Sequence, residues 1–174
     1  MIRILGTDVD GVCANLHTPW IGDYNMDWHD NLQIKDVTDW NIHQFVKAEC
    51  GANGIYKYIE DPSLYDRVEP IEDALNSINI LKKVFDIRIV YITSSTRGTM
   101  GRKYDWLKEH GFIDNLDDYV EMKDKSLINT DYLLDDYHGN LINFKGRGFL
   151  YDSPWNFKAN INATRVYNWK NFMD

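Results

Sequence analysis

The 174-residue sequence carries only two cysteines, four prolines and 19 basic side chains against 27 acidic ones. Cys13 and Cys50 form no CxxC pair and no zinc spacing, which excludes a cysteine metal site and a disulfide framework. Both read as small core residues. A net charge of −8 disfavours coating of nucleic acid and binding to anionic membranes, although a locally basic pocket still accommodates one phosphate. No apolar run approaches the ~20 residues of a membrane span. The start, Ile2-Arg3-Ile4-Leu5-Gly6-Thr7-Asp8, meets an acid before a signal-peptide core is built. The expected setting is therefore reducing and cytoplasmic. Internal repeats, low-complexity tracts and Pro/Gly/Ser linkers are absent as well.

What is present suits one domain with a real core: 44% apolar and 26% charged residues. Ile2 to Thr7 is short, apolar and rich in strand formers. Ile71, Ala74, Leu75, Ile78, Leu81, Val84 and Phe85 recur at helical spacing, with Pro70 suited to the first helical position. Glu72 and Asp73 suit its positive end, Lys82 and Lys83 its negative end. The run 87–92 reads as a second strand. A helix from about Thr99 to His110 should follow, with Met100, Tyr104 and Leu107 on one face and Gly111 as its stop. Further short strands are expected at 119–122, 132–134, 148–151 and 165–167. Strands alternating with helices imply a parallel sheet covered on both faces. Residues 15–68 break this rhythm and read as a mostly helical insert. They hold eight of the 24 aromatics, barely above the rest of the chain, so aromatic content alone does not make them a binding cap.

Asp8-Val9-Asp10-Gly11-Val12 closes the first strand. In an extended chain Asp8 and Asp10 point the same way, and the carboxyl end of a strand is where open α/β sheets bind ligands. Two acids this close repel unless a cation or shared proton intervenes, and hard oxygen ligands suit Mg²⁺. Alone, the pair reads equally well as ordinary turn acids. Its companions change the weighing. Thr93-Ser94 ends the second strand with hydroxyl and backbone donors for a phosphate. Lys125 can place a point charge on the same phosphate. Asp135-Asp136 ends a third apolar strand.

This ordered set resembles the haloacid dehalogenase (HAD) superfamily of aspartyl-phosphate phosphatases and, more narrowly, the 5'(3')-deoxyribonucleotidase family. The likeness is tight in Asp8-Val9-Asp10-Gly11-Val12-Cys13-Ala14, Thr93-Ser94, Lys123-Asp124-Lys125-Ser126 and Asp131-Tyr132-Leu133-Leu134-Asp135-Asp136. Val68-Glu69-Pro70 and Tyr151-Asp152-Ser153-Pro154-Trp155-Asn156 also match, while residues 15–68 match loosely. The resemblance implies an α/β fold: a Rossmann-like three-layer core with a parallel sheet, formed by 1–14 and 69–174, and a small, mostly helical cap, 15–68, inserted after the first strand. It implies Asp8 as nucleophile and Asp10 as acid and then base. Thr93, Ser94 and Lys125 would hold the phosphate. Mg²⁺ would sit on Asp8, the Asp10 backbone carbonyl and Asp136, with Asp135 supporting from behind; Asp135 and Asp136 could exchange roles. Asp36-Val37-Thr38-Asp39-Trp40 is similar to the family's aromatic cap segment, which makes Trp40 the stacking residue for a base, with a core role as the alternative. Leu16 stands where relatives can carry Phe, near the substrate sugar. The implied substrate is a nucleoside monophosphate.

Trp20, Trp28, Phe45, Tyr56 and Tyr65 read as packing, and Arg97, Arg102 and Lys103 as solvated helix residues. The five histidines show no metal spacing and read as surface or loop residues. Asn162-Ala163-Thr164 matches a glycosylation acceptor without an export signal to make it relevant. Two rival functions stand beside the nucleotidase: a HAD phosphatase for sugar phosphates or other small esters, and a receiver-like signalling module. The DxD spacing and the insert of 54 residues oppose the receiver. Base, sugar and oligomeric state are not legible; a homodimer stays open.

Overall fold

The computed structural model describes residues 2–114 and 118–174. Six strands form one parallel sheet: β1 (Arg3–Thr7), β2 (Ile87–Thr93), β3 (Tyr119–Glu121), β4 (Tyr132–Asp135), β5 (Arg147–Tyr151) and β6 (Thr164–Val166). Their spatial order is β3-β2-β1-β4-β5-β6. The chain thus runs outward in one direction from β1 and in the other from β4, which pairs with β1 through Leu5–Tyr132, Gly6–Leu133 and Thr7–Leu134. A crevice at such a reversal is where doubly wound sheets bind their ligands. The expected α/β architecture is the one observed.

The helices are α1 (His17–Trp28), α2 (Gly51–Tyr56), α3 (Ala74–Lys83), α4 (Arg102–Glu109), α5 (His138–Ile142) and α6 (Trp169–Met173). Between β1 and β2, residues 15–68 contain α1, α2 and four 3₁₀ turns and, among the described residues, no strand. The two ends of this stretch are tied together. Asn15 N donates to Glu69 O at 2.9 Å, Ile71 N donates to Cys13 O at 2.7 Å, and Ala14 and Pro70 form an antiparallel bridge. That pairing corrects the expected start of α3. Pro70 is extended in the bridge, and the helix begins only at Ala74, after Asp73 turns the backbone to a φ of 62°. Buried tryptophans anchor the seams. The Trp106 indole donates to Val68 O and the Trp169 indole to Val12 O, both at 2.8 Å.

The helix expected from Thr99 is also shorter than its periodicity suggests. Thr99 is buried and bonded to Thr96, Gly101 has a φ of 84°, and α4 starts at Arg102. Met100 consequently lies outside the helix and is 66% exposed. Lys103, Trp106 and Leu107 form the buried face instead.

Candidate active site

A cavity of about 380 Å³ opens above the carboxyl ends of β1, β2 and β4, walled on its other side by residues of 15–68. Its floor is built from strand ends. β1 stops at Thr7, but Asp8 N still donates to Leu134 O at 2.9 Å, so the carboxylate leaves the sheet at a fixed point. Extended geometry does not bring Asp10 beside it. A tight loop does, in which the N–H groups of Cys13 and Ala14 both bond Val9 O at 2.8 Å. Gly11 makes the loop feasible: its φ is 76°, and a Cβ there would lie 2.1 Å from Asp136 Oδ2.

The floor is densely charged. Lys125 opens a 3₁₀ turn whose first residue follows the cap Asp124, and its buried ammonium lies 2.8 Å from both Asp8 Oδ1 and Asp135 Oδ2. Asp8 Oδ1 also accepts from Val9 N at 2.7 Å, which leaves Oδ2 without a protein donor among the described residues. Adjacent Asp135 and Asp136 differ sharply. Both Asp135 oxygens are used: Oδ1 by Tyr137 N at 2.8 Å, Oδ2 by Lys125 and by Asn140 Nδ2 at 3.0 Å. Asp136 Oδ1 is buried with no hydrogen-bond partner among the described residues. Its backbone is held by Asn156, whose amide donates to Asp136 O and Tyr151 O at 2.7 Å. Carboxylate oxygens of Asp8, Asp135 and Asp136 lie within 4.8 Å of one another.

Electrostatics follow from this crowding. Burial raises the Asp8 carboxyl to about 7, partly opposed by Lys125 and reinforced by Asp135 and Asp10. Burial and then Asp8 push Asp136 well above the usual carboxylate range. Asp8, Asp10, Asp135 and Asp136 face two ammonium groups, those of Lys125 and Lys103. One divalent cation would cancel the excess of two negative charges, and an orphaned buried carboxylate oxygen is the kind of donor it would take.

Each residue singled out in the sequence reaches this cavity or supports it. Thr93 is buried at the end of β2 and Ser94 follows it into the cavity wall. Leu16 is buried in the lining. Trp40 lines the cavity with 42% exposure and is not core; its ring lies 4.2 Å from that of Tyr137. Other expectations are corrected. Lys103 is not solvated: its buried ammonium pairs with Asp10 Oδ2 at 2.6 Å and donates to Thr93 Oγ1 at 3.1 Å. Tyr65 is more than packing, since its hydroxyl donates to Asp10 Oδ1. Trp20 and Tyr56 pack and also line the cavity. His17 is half-buried and more than a surface residue; it stacks on Trp155 at 4.0 Å within the lining, and burial lowers its pKa to about 4. For His17, position directly after the DxDGV loop and Leu16 was the available signal. For Lys103 it was the i, i+3 spacing to buried Trp106, which puts the lysine on the inner face. Tyr65 offered no comparable signal.

A parallel sheet in this order, with paired acids at the ends of β1 and β4 and a buried lysine between them, is the fold of solved haloacid dehalogenase-like hydrolases. Solved structures share the fold. A haloacid dehalogenase-like family protein of Streptococcus pneumoniae matches with a TM-score of 0.61 at 9% identity, covering 99% of this chain and 97% of that one. A HAD hydrolase of Bacillus subtilis, solved with magnesium bound, matches with a TM-score of 0.60 at 13% identity, covering 98% and 96%. The sequence profile of a family described as 5' nucleotidase, deoxy (pyrimidine), cytosolic type C protein matches residues 2–174, and the chain belongs to that family. A 5'(3')-deoxyribonucleotidase of Clostridium acetobutylicum is 31% identical over 166 residues, 95% of this chain and 89% of that protein. Another, of Bacillus subtilis, is 26% identical over 170 residues, 98% and 96% of the two chains.

Proposed function

We propose that the protein is a Mg²⁺-dependent phosphomonoesterase that removes phosphate from deoxynucleoside monophosphates through an aspartyl-phosphate, with 15–68 as a cap over a core of 1–14 and 69–174. One observation carries the reading. Among the described residues, Asp8 and Asp136 each keep one carboxylate oxygen free of protein donors, in the same cavity that Lys125, Thr93 and Ser94 line. Asp8, the Asp10 backbone carbonyl and Asp136 would hold the ion. When bound, it supplies charge neutralisation for an anionic nucleophile and an anionic phosphate.

The chain's own groups divide the work. Lys125 and the Thr93 and Ser94 donors hold the non-bridging phosphate oxygens. Asp8 Oδ2 attacks phosphorus; the bond from phosphorus to the sugar oxygen breaks, and its electrons stay on that oxygen, which takes a proton from the Asp10 carboxyl. A water then attacks phosphorus and gives its proton to the Asp10 carboxylate, and the bond to Asp8 breaks to free phosphate. Lys125 acts here as a fixed charge already desolvated and aimed, so little reorganises as charge moves. Asp135 holds Lys125. Over this floor, Trp40 offers a face for the base, and the apolar wall of Leu16, Trp20 and Ile59 excludes water.

The test is phosphate release from deoxy- and ribonucleoside monophosphates and from sugar phosphates, with and without Mg²⁺. Mg²⁺-dependent preference for deoxynucleotides is expected. Preference for sugar phosphates would overturn the substrate assignment, and metal-independent turnover would overturn the role of the acids.

A further inference from the structure

We propose that Tyr65 is a positioning residue that aims the Asp10 carboxyl at the leaving oxygen, while Lys103 is the exchangeable half of the same clamp, passing from Asp10 to the substrate phosphate. This rests on the assignment of Asp10 as the proton donor made above.

Both Asp10 oxygens have partners from distant elements. The Tyr65 hydroxyl takes Oδ1 and the Lys103 ammonium takes Oδ2. Tyr65 lies in the 3₁₀ turn Pro62–Arg67, whose placement is heavily determined. Asp61 caps it by accepting from Ser63 N, Asp66 pairs with Arg102 at 2.8 Å, and the Trp106 indole holds Val68 O just beyond it. The ring is buried, and its hydroxyl has one proton to give and, among the described residues, one acceptor to give it to. A phenol is protonated near neutral pH, so Tyr65 acts as a donor here.

Lys103 is differently placed. Its ammonium has three protons and touches Thr93 Oγ1 and the Ser94 backbone oxygen as well as Asp10. It therefore already spans the gap between the acid and the hydroxyls that would receive phosphate. A carboxyl clamped at both oxygens cannot pass a proton to a leaving group, so one contact must yield. An arriving phosphate dianion competes for Lys103 with more charge than Asp10 offers, and it pulls far less on the neutral Tyr65 hydroxyl. Oδ2 is freed for proton transfer while Oδ1 keeps its anchor. Because Tyr65 belongs to the insert and Lys103 to α4, the acid is correctly aimed only when 15–68 is seated on the core.

The experiment reads kcat/KM for the full chain with Mg²⁺ over a series of aryl phosphates. Their leaving-group pKa values run from about 7 for a nitrophenol to about 10 for phenol, the range of a free tyrosine at its upper end. A poor leaving group needs the Asp10 proton and a good one does not. Tyr65→Phe keeps the ring and should leave the melting temperature nearly unchanged. It is expected to steepen the dependence on leaving-group pKa, with no loss at the nitrophenol end and about tenfold loss in kcat at the phenol end, a fraction of what general acid catalysis contributes. Lys103→Gln should instead raise KM by a similar factor across the whole series, without changing the slope. A parallel loss at every leaving group in Tyr65→Phe, or none at all, overturns the positioning role. A steeper slope in Lys103→Gln overturns the division between the two residues. If the wild-type protein turns over aryl phosphates but no nucleotide, only the substrate reading falls. If it turns over no phosphomonoester, the phosphatase reading falls and takes this proposal with it.

Discussion

The floor and the wall of the cavity are built on opposite principles. The floor is four acids and two lysines, nearly all buried; Asp8, Asp10, Asp135 and both lysines are fixed by contacts of 2.6–3.1 Å, while Asp136 keeps a carboxylate oxygen without a partner among the described residues. The wall is aromatic and aliphatic, drawn from 15–68, and Trp40 in it is almost half exposed. A buried charge is expensive to leave unpaired, so a floor of this kind admits few substitutions and few geometries. An apolar wall needs only volume and shape, which many sequences supply. The floor can thus be common to a class of hydrolases while the wall distinguishes its members.

Breaking the floor should have the largest effects. Asp8→Asn is expected to abolish turnover, since an amide cannot form the acyl-phosphate, and Asp10→Asn should cost about 10²–10⁴-fold, the usual share of proton transfer. Steady-state phosphate release checks both. Near-normal activity in Asp8→Asn would remove the floor from the chemistry altogether.

The two neighbouring acids sharpen the comparison within the floor itself. Asp135→Ala removes a partner from Lys125, Asn140 and Tyr137 N together, and loss of one member of a buried ion pair costs about 3–5 kcal/mol. Asp136→Asn removes an unpartnered oxygen from a crowded anionic site and should leave the metal-free protein as stable or more stable, by about 1 kcal/mol, as substitutions at functional acids commonly do. Thermal melting with EDTA and with Mg²⁺ separates them. Wild type should gain stability from Mg²⁺, Asp136→Asn should gain almost none, and Asp135→Ala should melt low in both. EDTA should silence turnover and Mg²⁺ restore it. The opposite ranking would move the ion to Asp135.

What could be read from sequence divides along the same line. Asp8, Thr93 and Asp135-Asp136 each follow a short β-branched or apolar run, so local pattern alone puts them at strand ends, and Lys125 follows a capping acid that puts it at the start of a turn. The order of those runs also gave the parallel sheet. Residues whose roles depend on partners far along the chain were opaque. Tyr65 meets Asp10 across 55 positions, and nothing near it in sequence announces an acid. Lys103 reads as a solvated lysine because a charge run by itself says little about burial; its place on the inner face with Trp106 and Leu107 depends on the buried acid it meets across the fold. Pro70 departs from its local preference. That preference fits a helix start, but bridging to Ala14 closes the base of the insert and wins.

Breaking the wall should be felt in binding. Trp40→Ala is expected to raise KM for a nucleotide about tenfold, within the ~1–3 kcal/mol that base–aromatic stacking contributes, and to leave hydrolysis of p-nitrophenyl phosphate nearly unchanged. Equal loss on both substrates, with an unchanged circular dichroism spectrum, would place the base platform elsewhere in 15–68.

The smallest effect belongs to His17, where floor and wall meet. Its ring is stacked on Trp155 and its pKa is lowered to about 4 by burial, against about 6.5 in an unfolded chain. Between those values the unfolded state binds the proton and the folded state does not. Stability contributed by the neutral ring is therefore complete above about pH 6.5 and is lost as pH falls towards 4. At pH 5 the loss should be on the order of 1 kcal/mol, after allowance for partial exposure of the ring. Carboxylates titrating nearby add their own slope, so the informative quantity is a difference of differences. Urea unfolding of wild type and His17→Gln, each at pH 7 and pH 5, isolates it. Wild type should lose the additional increment on acidification and the variant should not. Equal losses would mean that the imidazole is hydrated in the folded protein, and His17 would then belong with the open wall and not with the dry floor.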